Sequence, residues 1–377
     1  MRDLKEIRKD IDAIDAEIIT LYEKRMALAD DVANYKIANH MPVYDKEREQ
    51  EKLTTLSMMT EDPFTRQGIR ELFTSVMSGS RKKQYRILSE HGILKDFGYN
   101  CVKSFDFSDC KIAFQGVEGA YSEAALVKFF GKDHNTHSVQ TWREAFEELK
   151  NHKADYAVLP IENSTAGMID ENFDLMTEYD CAIIGEQIIR INHALLGLPE
   201  ANIQDIKTVY SHPQALMQCS DYLNENHPEF DRRSLLNTAM SAKKVKEDGL
   251  VSQAAIAGKI NAEIYGLKIL DEKIQDDKTN ATRFLIVSSQ KNFLEDANKL
   301  SISFELNDDM GSLYHILSNF TYNGLNMSRI ESRPVKERPW AYRFFVDLSG
   351  NLNNEAVQNA LVGLHEEANS IQILGNY

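Results

Sequence analysis

The chain has 377 residues, with 58 Asp and Glu against 43 Lys and Arg, 42% hydrophobic residues and four cysteines. That length suits roughly two to three domains, and a net charge of −15 excludes a global attraction to nucleic acid or an anionic membrane. No apolar run approaches the ~20 residues that span a bilayer, and residues 1–6 lack the apolar core of a signal peptide. Cys101, Cys110, Cys181 and Cys219 show no CxxC spacing and the ten histidines no HExxH pair, so neither a disulfide framework nor a metal site is expected. The expectation is a soluble, cytoplasmic, multi-domain protein with reduced thiols and no cofactor.

The charge is uneven. Residues 1–90 hold 16 basic and 17 acidic residues, a balance of −1, which leaves −14 for the rest. Within that first quarter, residues 4 to about 37 predict one long helix. Leu4, Ile7, Ile11, Ile14, Ile18, Leu21, Leu28, Val32 and Tyr35 alternate by four and three over nearly five heptads. Shorter helices are predicted near 45–59 and 64–88, on either side of a polar break ending in Pro63. Two short helices cannot cover so long a seam, and an intertwined helical dimer is expected.

Cations interrupt that seam. With Leu4 at heptad position a, Arg25 is also an a, while Arg8 and Lys36 are e positions beside it. Arg8 and Lys36 can snorkel from the edges of a helical interface. Arg25 is costly to bury without an anion, which could be an acid of the protein or an anionic ligand. The order Arg8, Arg25, Lys36, then Asp45-x-x-Arg48-Glu49, then Ser80-x-x-x-Gln84 resembles the all-helical chorismate mutases. The resemblance implies that Arg25 and Arg8, the latter from a partner subunit, hold the two substrate carboxylates. It implies further that Lys36 and Gln84 donate to the ether oxygen and Glu49 binds the ring hydroxyl, with Asp45, Arg48 and Ser80 completing the pocket. Asp45 is also well placed as a helix N-cap, and Gln84 could be ordinary helix surface.

Residues 89–109 have no sustained period and read as a linker. From 111 to about 289, short apolar strands near 111–114, 155–159, 208–210 and 284–287 alternate with helices, predicting an α/β domain. Three of these strands run into polar turns and then helices, which sets free backbone N–H groups beside one crevice, suited to a carboxylate ligand. GxGxxG spacing and a P-loop lysine are both missing, which argues against a nucleotide. Gly116-Val-Glu-Gly119-Ala-Tyr-Ser122, Glu162-Asn-Ser-Thr-Ala-Gly167, His193-Ala-Leu-Leu196, Ser211-His-Pro-Gln214 with Gln218, and Asn280-Ala-Thr282-Arg283-Phe284 together resemble the prephenate dehydratases. That family implies a two-lobed, periplasmic-binding-protein-like α/β fold with the site between lobes. Thr282 is then the essential catalytic residue, and Glu162, Asn163, Ser164, Ser211 and Gln218 line the cleft. Phe284 completes the motif, and Arg283 either anchors a carboxylate or forms an ion pair with Asp276 or Asp277.

From Lys299 onward the pattern reads as βαββαβ, the ferredoxin-like plan. It resembles an ACT domain of the phenylalanine-sensing type, on Gly311-Ser312-Leu313 at a helix start and Glu331-Ser332-Arg333-Pro334. Ser312 stands where that family usually has alanine. The expected domains are residues 1–90 (mutase), 91–109 (linker), 110–292 (dehydratase) and 299–377 (ACT, with L-phenylalanine as effector). Taken together, the chain is identified as a member of the bifunctional chorismate mutase/prephenate dehydratases, acting on chorismate and prephenate as a homodimer or higher homo-oligomer. The competing readings are a non-catalytic amino-acid-binding regulator and an enzyme with only one live activity.

Overall fold

A computed structural model of the chain describes residues 2–92, 96–306, 308, 311–335, 338 and 340–377. Residues 93–95 of the stretch read as a linker lie outside the described residues. The chain forms two compact units: Met1–Phe97 with Asn298–Ile373, and Gly98–Ala297 with Leu374–Tyr377.

In the first unit the predicted helices are present as α1 (Leu4–Ala38), α2 (Lys46–Ser57) and α3 (Pro63–Glu90). Side-chain caps start the second and third. Asp45 accepts the Arg48 N–H at 3.1 Å, and Asp62 accepts the Thr65 N–H at 2.7 Å, with Pro63 at the first turn of α3. At about 1.5 Å per residue α1 is ~50 Å long, yet its buried residues are only Ala29 and Ala33, near the end that packs on α3. Ile11, Ile14, Ile18, Leu21, Leu28 and Tyr35 are all exposed, so the heptad seam faces outward within one chain.

The same unit contains strand Lys299–Leu306, helix Ser312–Tyr322, strands Met327–Pro334 and Tyr342–Ser349, helix Glu355–Glu367 and, as far as Ile373, the last strand, Ser370–Asn376. This is the βαββαβ order expected. Lys299–Leu306 and Tyr342–Ser349 are the inner strands, and Met327–Pro334 lies at the edge, pairing among the described residues with Tyr342–Ser349. Leu300, Ile302, Phe304, Val346, Leu348, Leu361 and Leu364 form its core. Sequence periodicity does not pick out the edge strand, because its residues alternate between half-buried and exposed and none is fully buried.

The second unit has two lobes, each built on a mixed sheet. The first runs Ala182–Arg190, Ala281–Ser288, Tyr156–Asn163, Lys111–Gln115, Asn135–Val139. The second runs Lys268–Glu272, His193–Gly197, Gln253–Gly258, Thr208–Ser211, Asp231–Ser234. The chain crosses between lobes twice, at 191–192 and at 273–280. The crossings are laced together: Gln275 Oε1 accepts the His193 N–H at 3.0 Å, and the Ile191 N–H donates to the Asn280 carbonyl at 2.9 Å. At the first strand-to-helix turn Gly119 has φ +87°, and a Cβ there would lie 2.2 Å from Asn261 Oδ1. Only glycine fits. The stretch read as a linker contains a short strand, Asn100–Val102, paired in parallel with Asn292–Leu294. Phe107 from that stretch packs edge-on against Phe129, Phe130 and Tyr156. Among the described residues no helix is long and apolar enough to cross a membrane.

Candidate active sites

The helical unit encloses a cavity of about 570 Å³ whose wall includes Arg25, Lys36, Asp45, Arg48, Glu49, Ser80 and Gln84. Seven of the eight residues picked out in this region thus converge. The eighth, Arg8, lies 17 residues before Arg25 on the same helix, about 25 Å away along its axis, and does not reach this cavity. Arg25 donates to the Val76 carbonyl at 3.3 Å, and among the described residues no carboxylate pairs with it. Lys36 donates to the Val43 carbonyl at 2.5 Å. Burial draws the Lys36 ammonium below its ordinary pKa, against the opposing pull of Asp45, Glu366 and Glu49. Gln84 donates weakly to Ser80, at 3.3 Å to its carbonyl and 3.4 Å to its hydroxyl. Its Oε1 is buried and lacks a hydrogen-bond partner among the described residues. Asp45 does cap α2, so it serves as N-cap and cavity wall together.

Arg81, like Asp31 and Lys52, lines the cavity without having been singled out in the sequence. It follows directly on Ser80, but a run of three cations on a helix reads as a solvated face. In the fold it is buried, paired with Glu49 and Glu367, its guanidinium 4.7 Å from the centre of the Tyr44 ring.

The second cavity, about 460 Å³, lies between the lobes of the α/β unit. Asn163, Gln218, Thr282 and Phe284 line it, and among the described residues its wall holds no Asp, Glu, Lys or Arg. Asn163 is the hub. Its Nδ2 donates to Thr282 Oγ1 at 2.9 Å and Asn280 Oδ1 at 2.8 Å. Its Oδ1 accepts the N–H groups of Thr165 and Ala166 at 3.1 and 2.9 Å. Gln218 Nε2 donates to Thr165 Oγ1 at 2.8 Å, and Gln218 Oε1 lies 3.1 Å from His193 Nε2. An amide oxygen only accepts, so His193 carries its proton on Nε2. Burial also holds the His193 imidazole below its ordinary pKa, so the ring is neutral.

The other residues expected to line this cleft do not reach its wall, and strand alternation explains two of them. Thr282 pairs with Asn163 across neighbouring strands, and Arg283 pairs with Glu162 one step along. With a period of two, the first pair faces the cavity and the second faces away. Arg283 is engaged there by Glu186 at 2.6 Å and the Tyr377 hydroxyl at 2.9 Å, with Glu162 at 3.9 Å. Glu186 and Glu162, rather than Asp276 or Asp277, are its acidic neighbours. Ser211 is fully buried and donates to the Ile256 carbonyl at 2.6 Å, bracing the second sheet. The Ser164 hydroxyl accepts the Ala281 N–H at 3.0 Å. Tyr121, His193 and Trp142, not singled out as site residues, do line the cavity. His193 and Tyr121 stand inside the recognised motifs, while nothing in the sequence marks Trp142.

In the C-terminal part, Gly311 (φ +83°) precedes the helix that Ser312 and Leu313 open, and Glu331, Ser332, Arg333 and Pro334 end the edge strand. No group of three or more His, Cys, Asp or Glu residues suited to a metal ion occurs among the described residues.

A helical unit with a cation-rich cavity, joined in one chain to a two-lobed α/β unit with a charge-free cleft, defines a two-site enzyme of small-molecule metabolism. Residues 7–85 match the family chorismate mutase type II, and residues 112–292 match prephenate dehydratase. The bifunctional chorismate mutase/prephenate dehydratase of Aquifex aeolicus is 32% identical, the alignment covering 100% of this chain and 98% of that protein. Among solved structures, prephenate dehydratase from Arthrobacter aurescens in complex with L-Phe is 33% identical with a TM-score of 0.66, covering 71% of this chain and 89% of that one. GqqA, described as a quorum-quenching acylase, is 31% identical with a TM-score of 0.65, covering 71% and 97%. The chain belongs to the bifunctional chorismate mutase/prephenate dehydratase family.

Proposed function

We propose that the helical unit rearranges chorismate to prephenate, that the α/β cleft converts prephenate to phenylpyruvate, and that L-phenylalanine acts on the C-terminal module as a feedback inhibitor. The observation that carries the reading is the convergence of seven mutase-pattern residues on one cavity, in a chain that also holds the Thr282–Asn163 cleft.

The first reaction is an intramolecular Claisen rearrangement of a dianion, with no proton to move. The C–O bond breaks, the ether oxygen gains negative charge, and catalysis consists of holding the compact conformer and stabilising that oxygen. Arg25 and Arg48 supply charge for the carboxylates. Lys36 and Gln84 donate to the ether oxygen, Glu49 receives the ring hydroxyl, and Asp45 and Ser80 complete the wall. Arg8 comes from a second copy of the chain. Its distance from the cavity and the outward-facing apolar seam of α1 support an intertwined dimer, which would sediment at about twice 43.0 kDa.

The second reaction expels carbon dioxide and water. The electron pair of the breaking C–C bond flows into the ring and displaces the hydroxyl, which leaves as water after taking a proton supplied ultimately by solvent. Thr282 accepts a hydrogen bond from Asn163, which leaves its own hydroxyl proton to donate to the leaving oxygen. A wall without cations avoids over-stabilising the carboxylate that must depart. The retained carboxylate meets N–H groups at the helix starts near Tyr121 and Thr238, both on the cavity wall. Glu162, Ser164, Ser211 and Arg283 act from behind this wall as braces.

The βαββαβ module is read as an ACT domain, with Gly311, Ser312 and Leu313 offering N–H groups and Glu331 to Pro334 forming the second half of the effector site. The free cysteines suit a reducing cytoplasm. One coupled assay tests the whole: chorismate supplied, prephenate and phenylpyruvate followed, with and without millimolar L-phenylalanine. Both steps should proceed and the second should slow with phenylalanine. Turnover of one substrate alone would leave a single-activity enzyme, and turnover of neither a regulator.

A further inference from the structure

Helix α3 carries a row of polar groups that the reactions above leave unused. Arg81 is only 7% exposed, as is Lys82, and Tyr85 is 3% exposed. All three meet the C-terminal module of the same compact unit. Arg81 Nη2 donates to Glu367 Oε1 at 2.5 Å, Lys82 Nζ to the Ser318 hydroxyl at 2.9 Å, and the Tyr85 hydroxyl to Glu366. Arg81 also reaches the other way. Its Nη1 donates to Glu49 Oε2, and both residues stand on the wall of the helical cavity.

Burying a guanidinium is expensive unless carboxylates surround it. Here two carboxylates share one guanidinium, and the planar fork of arginine lets each nitrogen serve a different acid. The face of the Tyr44 ring limits its motion on a third side. Glu367 therefore holds the arginine, and the arginine fixes one oxygen of Glu49. A carboxylate with one oxygen tied has fewer rotamers to lose when its other oxygen receives a ligand hydroxyl. We propose that Arg81 is a positioning residue of the mutase site, held by Glu367 of the C-terminal module, so that this module completes the geometry of a pocket to which, among the described residues, it contributes no wall. The inference rests on the mutase reading of that pocket.

Because Glu49 grips the ring hydroxyl, a group that neither gains charge nor changes its bonds in the rearrangement, its misplacement weakens substrate and transition state alike, and KM moves more than kcat. In the full-length protein, Glu367→Gln should raise the chorismate KM about tenfold with kcat within about twofold. Dehydration of added prephenate should be unchanged. Arg81→Met should match it, the Arg81→Met/Glu367→Gln double variant should be no worse than Arg81→Met alone, and Arg81→Lys should recover part of the loss. Should Glu367→Gln fail to fold, Glu367→Asp carries the same test with a shift of about threefold. An unmoved KM, losses that multiply in the double variant, or a parallel fall in both activities would overturn the inference. Mutase turnover that depends on Lys36 but ignores Glu367 would sink this inference alone. Absence of turnover in the unaltered chain would remove the mutase reading and this inference with it.

Discussion

The helical cavity has Arg25, Lys36, Arg48 and Arg81 on its wall, whereas the cleft of the α/β unit has no Asp, Glu, Lys or Arg among the described residues. Both receive a substrate with two carboxylates. In the first reaction both carboxylates persist and charge grows on a third oxygen, so fixed cations stabilise the transition state throughout. In the second, one carboxylate must leave, and a cation gripping it would stabilise the ground state more than the transition state. Neutral donors fit that demand. Under the proposed reading the donor is the Thr282 hydroxyl, and Asn163, Gln218 and a neutral His193 hold it in a hydrogen-bonded network without a charge on the wall. Ligand charge alone does not dictate site charge; what matters is where the charge goes during the reaction.

The contrast can be broken hardest at Thr282. Thr282→Ala should lower the dehydratase kcat by about 1,000-fold while chorismate turnover is unchanged, read by following each step separately. Retained dehydration would remove the hydroxyl donor from the account. A smaller loss, about 100-fold in mutase kcat, is expected for Lys36→Ala, with dehydration of added prephenate untouched. If mutase activity survived it, the cavity cations would be structural. The mildest effect concerns the neutrality of the cleft. The folded pKa of His193 lies below its unfolded value of 6.5, so the unfolded chain takes up the proton first. The stability His193 contributes is fully present above pH 6.5 and is lost as pH falls toward the folded value, with a slope of at most about 1.4 kcal/mol per pH unit. His193→Gln should flatten that part of the curve of thermal stability against pH. An unchanged slope would mean that other groups set it.

Much of this was legible in the residue order. The three N-terminal helices follow from the heptad run and the polar break before Pro63, and α2 begins after Asp45, the N-cap its sequence suggests. The seven residues of the helical cavity were named by the resemblance to the chorismate mutases, and helix spacing explains only why Ser80 and Gln84, four apart on α3, share a face. The cleft was only half legible. Thr282 and Asn163 face it, but Glu162 and Arg283, one residue away, face the opposite side of the strand, and a short motif does not reveal which parity points inward. Ser211 illustrates the same limit: it lies in a recognised motif, yet its hydroxyl is spent on the Ile256 carbonyl of a neighbouring strand.

The sequence by itself determined the family and the helical periods, since these depend on local spacing and residue type. Tertiary structure alone decided which strand faces meet the cleft and that Arg81 lies buried between Glu49 and Glu367, a residue 286 positions further along the chain. The physical reason is that a charge on a helix has no fixed meaning until something packs against it. Three consecutive cations read as a solvated face until a distant carboxylate removes one of them from water.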